Sequence, residues 1–187
     1  MKILDIGCGN GHWLHYCKSK GVNGIGITIS KNQYEHNIKN GLNIILGDIN
    51  KGILSTINEK FDAITNIGAM EHFSSVSQHP EKRNKILKKY YEQVKNLIDP
   101  NSKSKRYLNS YMTTNINYSK YRTPFWYLNI YLIASAFGYG YYDTDKNIDK
   151  IYNSKNSKII IKRDYTEDYR WISVRNINSI GYCNYKF

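Results

Sequence analysis

Asp5-Ile6-Gly7-Cys8-Gly9-Asn10-Gly11 puts glycine at alternate positions, directly behind the run Lys2-Ile3-Leu4-Asp5-Ile6 and directly before His12-Trp13-Leu14-His15-Tyr16-Cys17. Glycine loses more backbone entropy on folding than any other residue, so this density needs a use. The short, mostly apolar run ahead of it reads as a central parallel strand. The segment behind it reads as an amphipathic helix ending near Gly21. A glycine-rich turn between the two lets backbone approach a ligand closely and leaves the first helical N–H groups free to meet it. The reading is a site for a nucleotide-type cofactor.

The spacing separates the candidates. A dinucleotide fingerprint, counted from Gly7 and Gly9, needs its third glycine where His12 stands, and an acid at the end of the next strand. Gly24-Ile25-Gly26-Ile27-Thr28-Ile29 carries no acid, and no Gly-Lys-Ser/Thr follows the turn as a Walker loop requires. The remaining pattern, D-x-G-x-G-x-G, resembles motif I of the class I S-adenosylmethionine-dependent methyltransferases. The resemblance implies that the loop wraps the amino-acid part of S-adenosyl-L-methionine.

Whole-chain properties bound the rest. A chain of 187 residues buries one good core, and two domains would be cramped. The expectation is therefore one domain over 1–187, with a cofactor-binding half at 1–100 and a substrate-side half at 101–187. No stretch approaches the ~20 apolar residues of a membrane span, and the first strand leaves no room for a signal peptide. Cys8, Cys17 and Cys183 show no C-x-x-C spacing, which argues against a disulfide framework or zinc and for a reducing, cytoplasmic setting. The net charge of +12 suits nucleic acid or an anionic membrane surface. The Asn-, Lys-, Ile- and Tyr-rich composition equally suits AT-rich coding. Lys82, Arg83, Lys85, Lys88 and Lys89, with Lys103, Lys105 and Arg106, read either as phosphate contacts or as a solvated helix face and loop.

Periodicity predicts alternating elements. A second strand is expected over Gly24–Ile29, a third over Leu42–Gly47 ending at Asp48, a fourth over Phe61–Ile67 and a fifth over Arg106–Met112. Ser30-Lys31-Asn32-Gln33 has the S-x-x-Q form of a capping box opening the second helix. A long helix follows Pro80, with Ile86, Tyr90, Val94 and Leu97 on one side. A helix is expected within Trp126–Phe137, and a closing hairpin from Ser157–Lys162 and Arg170–Arg175. The alternation implies an α/β fold with ligands beyond the carboxyl ends of the strands. The resemblance makes it a Rossmann-like methyltransferase fold: a mostly parallel seven-stranded sheet, helices on both faces, and a C-terminal antiparallel hairpin.

GIGITISKNQYEH at 24–36, GDI at 47–49 and IGAMEHF at 67–73 narrow the likeness. They resemble the cyclopropane-fatty-acyl-phospholipid synthase and mycolic acid methyltransferase group, in which Thr-x-Ser and a following Gln replace the usual ribose-binding acid. The match covers roughly residues 1–100. It implies cofactor contacts from Asp5, Gly7, Cys8, Gly9, Gly11, Thr28, Gln33, Asp48, Ile49 and Gly68, with Thr28 and Gln33 at the ribose and Asp48 and Ile49 beside the adenine. Each has a plainer role: Gln33 as the third residue of the capping box, Asp48 as a loop start. Trp13 reads as core, and His12, His15, His36 and His79 show no metal-ligand spacing.

Glu71 is the catalytic candidate, since it follows the fourth strand at the edge where the transferred methyl would be presented. In the resembled group this glutamate helps hold a bicarbonate base. An acid so placed also suits orienting an amine or hydroxyl nucleophile, or capping a helix. Two departures bear on the bicarbonate site. The resembled enzymes carry chain ahead of motif I, including a cysteine, whereas this chain begins at the strand, so an N-terminal lid is expected to be absent. They also carry a histidine where Asn109 falls. The resemblance thus reaches cofactor binding further than cyclopropanation. Tyr118, Tyr121, Phe125, Trp126, Tyr127 and Tyr131 suit an acyl pocket, a cation cage, base stacking or plain helix packing. The reading is a methyltransferase for a lipid or other small-molecule acceptor. The alternatives are a nucleic-acid methyltransferase, weakened by Asn66-Ile67-Gly68-Ala69 where D/N-P-P-Y/F would stand, and a catalytically degenerate cofactor- or partner-binding module.

Overall fold

The structure, a computed structural model, describes residues 1–75, 78–103, 106–110, 145–153 and 159. By internal contacts the chain divides into Met1–Tyr152 and Asn153–Phe187. In the second unit the Ile159 N–H donates to the Asn153 side chain (3.1 Å). The expected hairpin strands, the helix around Trp126–Phe137 and the tyrosines at 118–131 lie outside the described residues.

In the first unit β1 (Lys2–Ile6), β2 (Asn23–Thr28), β3 (Asn43–Leu46), β4 (Ala63–Ile67) and β5 (Arg106–Ser110) form one sheet in the order β3-β2-β1-β4-β5. Every pairing is parallel, with Ile6 opposite Ile27 on one side and Asn66 on the other. The order reverses at β1, and a ligand crevice forms at such a switch point, outside the carboxyl ends of the strands. Helices α1 (His12–Ser19) and α2 (Lys31–Lys39) make the first two crossovers, and α3 (Pro80–Leu97) connects β4 to β5. Pro80 at the first position of α3 suits a site where no N–H is needed. The expected fourth strand is shorter than its apolar run, because Phe61 makes only an isolated bridge to Ile98. Helix α4 (Asp145–Tyr152) has no counterpart in the sequence-based expectations.

Glycine in β2 explains how closely α1 lies. A Cβ on Gly24 would sit 2.8 Å from Leu14, and one on Gly26 would sit 2.7 Å from both Leu14 and the Cys8 sulfur. Leu14 therefore presses onto bare strand backbone and joins Ile3, Cys17 and Leu42 in a core cluster, with Trp13 packed at its margin.

The α3 side of the sheet is built differently. Tyr90 is fully buried, and its hydroxyl accepts from Asn66 Nδ2 (2.8 Å) and lies 2.9 Å from the Tyr107 hydroxyl. Phe73 meets the Tyr90 ring edge-on at 4.8 Å, and Tyr152 of α4 meets Tyr91 likewise at 4.6 Å. Burial pushes the Tyr90 phenol far above its ordinary value, so it remains a neutral hydrogen-bonding group. Tyr90→Phe would keep the ring packing and strand the Asn66 donor in the core. Its expected cost is about 1–3 kcal/mol of unfolding free energy by urea titration; an unchanged midpoint would show that the hydroxyl network adds nothing.

Candidate active site

Strand β1 ends in the loop the sequence singled out, and backbone geometry accounts for its glycines. Gly7, Gly9 and Gly11 have φ of 78°, 54° and 77°, the left-handed region that disfavours side chains. The N–H groups of Gly7 and Cys8 both donate to the Ile27 carbonyl (2.9 Å each), which ties the loop to β2. A Cβ on Gly7 would clash with Ala69, so this glycine also lets the loop after β4 close up. Gly9 faces open space, with nothing within 4 Å of a would-be Cβ. Helix α1 then starts at His12 with Gly11 as its N-cap and no side-chain cap. Its first N–H groups are thus left for solvent or a ligand.

Asp5 is buried (3% exposed) and accepts a hydrogen bond from Thr65 Oγ1 (2.7 Å). Burial raises its carboxyl from 3.8 to about 6, against the opposing pull of the Thr65 bond. Burial, seconded by the Asp5 charge, pushes the Cys8 thiol up to about 12, which keeps it protonated and a poor nucleophile.

At the end of β2, Thr28 is buried and donates to Gln33 Oε1 (2.8 Å). The Ser30 hydroxyl caps α2 by accepting from the Gln33 N–H (3.4 Å). The reciprocal half of the capping box is not made: the Ser30 N–H turns to Thr28 Oγ1 (3.2 Å), and the Gln33 side chain faces Thr28 instead. Asp48 does start a turn, capping the 3-10 segment Ile49–Lys51 by accepting from the Asn50 N–H (2.8 Å). Asn50 Nδ2 in turn donates to the Phe73 carbonyl (3.0 Å), which ties the loop after β3 to the loop after β4.

Gly68 (φ 65°) follows β4, and Glu71 lies in the 3-10 turn Met70–His72, 3% exposed. Asn109 of β5 donates to the Tyr152 hydroxyl (3.1 Å), and that hydroxyl donates to Met70 Sδ (3.0 Å). Of the residues expected at the site, Gln33 lies in the first turn of α2, and the others lie at the carboxyl ends of β1, β2, β3 and β4 or in the segments that follow them. The sequence reading passed over Ile29 and Asn37. Ile29, 71% exposed directly beyond β2, and Leu46 at the end of β3 are apolar residues left open on this edge. Ile29 falls inside the second strand that periodicity predicts, so its exposure follows only from β2 ending at Thr28. Asn37 is fully buried on α2, where asparagine is ordinarily exposed.

This strand order, with a glycine turn after the first strand, is the Rossmann-like fold of the class I S-adenosylmethionine-dependent methyltransferases. The profile of the family described as mycolic acid cyclopropane synthetase matches residues 1–172. The chain belongs to that family, whose class uses S-adenosylmethionine as cofactor. Cyclopropane mycolic acid synthase 2 of Mycobacterium bovis is 33% identical over 98 residues, covering 49% of this chain and 32% of the relative. Its Mycobacterium leprae counterpart is 37% identical over 81 residues, 40% of this chain and 26% of the relative. The match therefore spans about a third or less of each curated relative's length. Among solved structures, mycolic acid cyclopropane synthase CmaA1, complexed with SAH and CTAB, superposes with a TM-score of 0.65 at 18% identity, covering 97% of this chain and 66% of that one. Cyclopropane synthase MmaA2 from Mycobacterium tuberculosis gives 0.61 at 21% identity, covering 81% and 52%. At these identities the superpositions speak for the fold.

The Asp5 carboxyl makes a pH test of the site's interior. Its folded value lies above its unfolded one, so its contribution to stability is whole below about pH 4 and is lost as pH rises through about 6. Relative to Asp5→Asn, the parent should lose up to about 3 kcal/mol between those limits. Denaturant titrations of both proteins at several pH values measure the difference; a flat difference would place Asp5 in contact with water.

Proposed function

We propose that this chain transfers the methyl group of S-adenosyl-L-methionine to a lipid or other small-molecule acceptor. The observation that carries the reading is the left-handed Gly7-Gly9-Gly11 turn, open at Gly9 and followed by an uncapped helix, on the edge that also bears the Thr28–Gln33 pair. The residues fit the group chemically. Free backbone donors suit the carboxylate of an amino acid. Gln33, held by Thr28 through its oxygen, keeps its amide N–H₂ for a ribose hydroxyl. Ile29 and Leu46 offer apolar surface for an adenine, beside Asp48 and Ile49.

When bound, the cofactor supplies a methyl group on a positively charged sulfur, which is a good leaving group. Alignment and exclusion of water then account for much of the rate. Glu71, buried beyond β4, is assigned to the acceptor side, where it orients a nucleophile or takes its proton. A lipid-like acceptor draws support from the CTAB held by the related CmaA1 structure. Exposed Lys82, Lys85 and Lys89 on α3 suit peripheral contact with an anionic membrane. No helix among the described residues is long and apolar enough to cross a membrane.

Two variants test the reading. Gly9→Val puts a β-branched residue at φ 54° and fills open space with no wall to press on. It should remain folded and lose S-adenosylhomocysteine binding by calorimetry; undiminished binding would move the cofactor elsewhere. Glu71→Gln keeps shape while removing charge. It should spare cofactor affinity and lower turnover about 10²–10⁴-fold if Glu71 acts as a base. Unchanged turnover on a verified acceptor would remove Glu71 from the chemistry.

A further inference from the structure

Asn37 is the least expected residue of α2. It is the one buried residue of that helix, fully so, and its Nδ2 donates to the carbonyl oxygen of Gly9 (2.9 Å), at the middle of the glycine turn. Its Oδ1 is buried without a hydrogen-bond partner. The fit around it is close: a Cβ on Gly11 would sit 2.6 Å from Oδ1 and 2.5 Å from Leu42. A buried oxygen that receives no donor costs stability, and an apolar side chain would avoid that cost. The amide is kept for what its other end does.

In a trans peptide the C=O and the following N–H point in opposite directions. With the Gly9 carbonyl drawn toward α2, the N–H of Asn10 is turned away from α2, toward the open side of the loop. That N–H makes no hydrogen bond to the described residues, whereas Gly7 and Cys8 spend theirs on Ile27 and Gly11 spends its on the Cys8 carbonyl (2.9 Å). At Gly9, φ of 54° leaves the peptide without a side chain to restrain it, so the orientation needs an outside hold.

We infer that Asn37 is a positioning residue that locks the Gly9–Asn10 peptide and thereby presents the Asn10 N–H to the carboxylate of the cofactor. The inference rests on the assignment of Gly7–Gly11 as the cofactor loop. Asn37 touches no ligand itself; it acts through the peptide it holds.

The parent protein supplies the first test. Residue-resolved amide exchange should find Asn10 exchanging freely in the apo protein and protected about tenfold or more by saturating S-adenosylhomocysteine. Asn37→Leu keeps the volume and loses the bond, and should weaken S-adenosylhomocysteine about three- to tenfold. Asn37→Asp adds a signature that a packing role would lack. As a carboxylate it repels the Gly9 carbonyl, whereas the protonated acid donates to it, so binding should recover toward the parent's as pH falls through the new carboxyl's titration. The titratable group in contact with the position is Cys8 on the loop, beside which Asp5 acts through its charge, with His36 and Glu35 exposed on α2 itself. All are present in both proteins, so the ratio of variant to parent affinity removes their effect. Binding without protection at Asn10, parent-like affinity in Asn37→Leu, or a pH-independent ratio for Asn37→Asp would each overturn the inference. Should a variant fail to fold, the exchange result on the parent decides. If the parent does not bind S-adenosylhomocysteine, the cofactor reading itself fails and the role of Asn37 falls with it.

Discussion

The carbonyl of Ile27 accepts hydrogen bonds from Gly7 and Cys8 together, and the rest of the site depends on that pair of hydrogen bonds. It bends the chain off the end of β1 toward β2 and starts a turn only left-handed residues can complete. Helix α1 then begins at His12 with its amino end at the carboxyl edge of the sheet. Gly24 and Gly26 complete the arrangement from below, since side chains there would hold Leu14, and α1 with it, off the strand. Close packing under the helix and an open donor array at its start are thus two results of one backbone path.

The second half of the sheet solves a different problem, namely how to bury polar groups beside a working edge. Asn66, Tyr90 and Tyr107 satisfy one another through short hydrogen bonds inside aromatic packing, and Asn109 and Tyr152 extend the polar set to Met70, next to Glu71. Such networks specify one arrangement, because each misplaced member strands a polar atom in a low-dielectric interior. The segment bearing Glu71 is held by this set on one side and by the Asn50–Phe73 bond on the other. Neighbours on both sides thus fix where that segment lies.

Membership of the mycolic acid cyclopropane synthetase family fits this division of labour. The curated relatives match about half of this chain or less, whereas the family profile runs over residues 1–172. Asn109 of β5 donates to the Tyr152 hydroxyl, a bond that serves the packing of α4.

Local patterns determined much of this protein. Alternate glycines after an apolar run, left-handed in fact, and strands β1, β2 and β3 placed within a residue or so of expectation follow from constraints that act on neighbours in the chain: turn geometry, side-chain alternation, a serine cap. Strand order, by contrast, was decided only by tertiary pairing, since each parallel crossover joins strands a helix apart and periodicity says nothing of which lies beside which. The same holds for Gln33, whose S-x-x-Q context suggested a reciprocal cap but whose side chain turned to Thr28 once β2 brought that hydroxyl within 2.8 Å. Asn37 is the sharpest case. An asparagine in a polar helix reads as surface, and only the meeting of α2 with the glycine turn buries it and gives its amide the Gly9 carbonyl to hold.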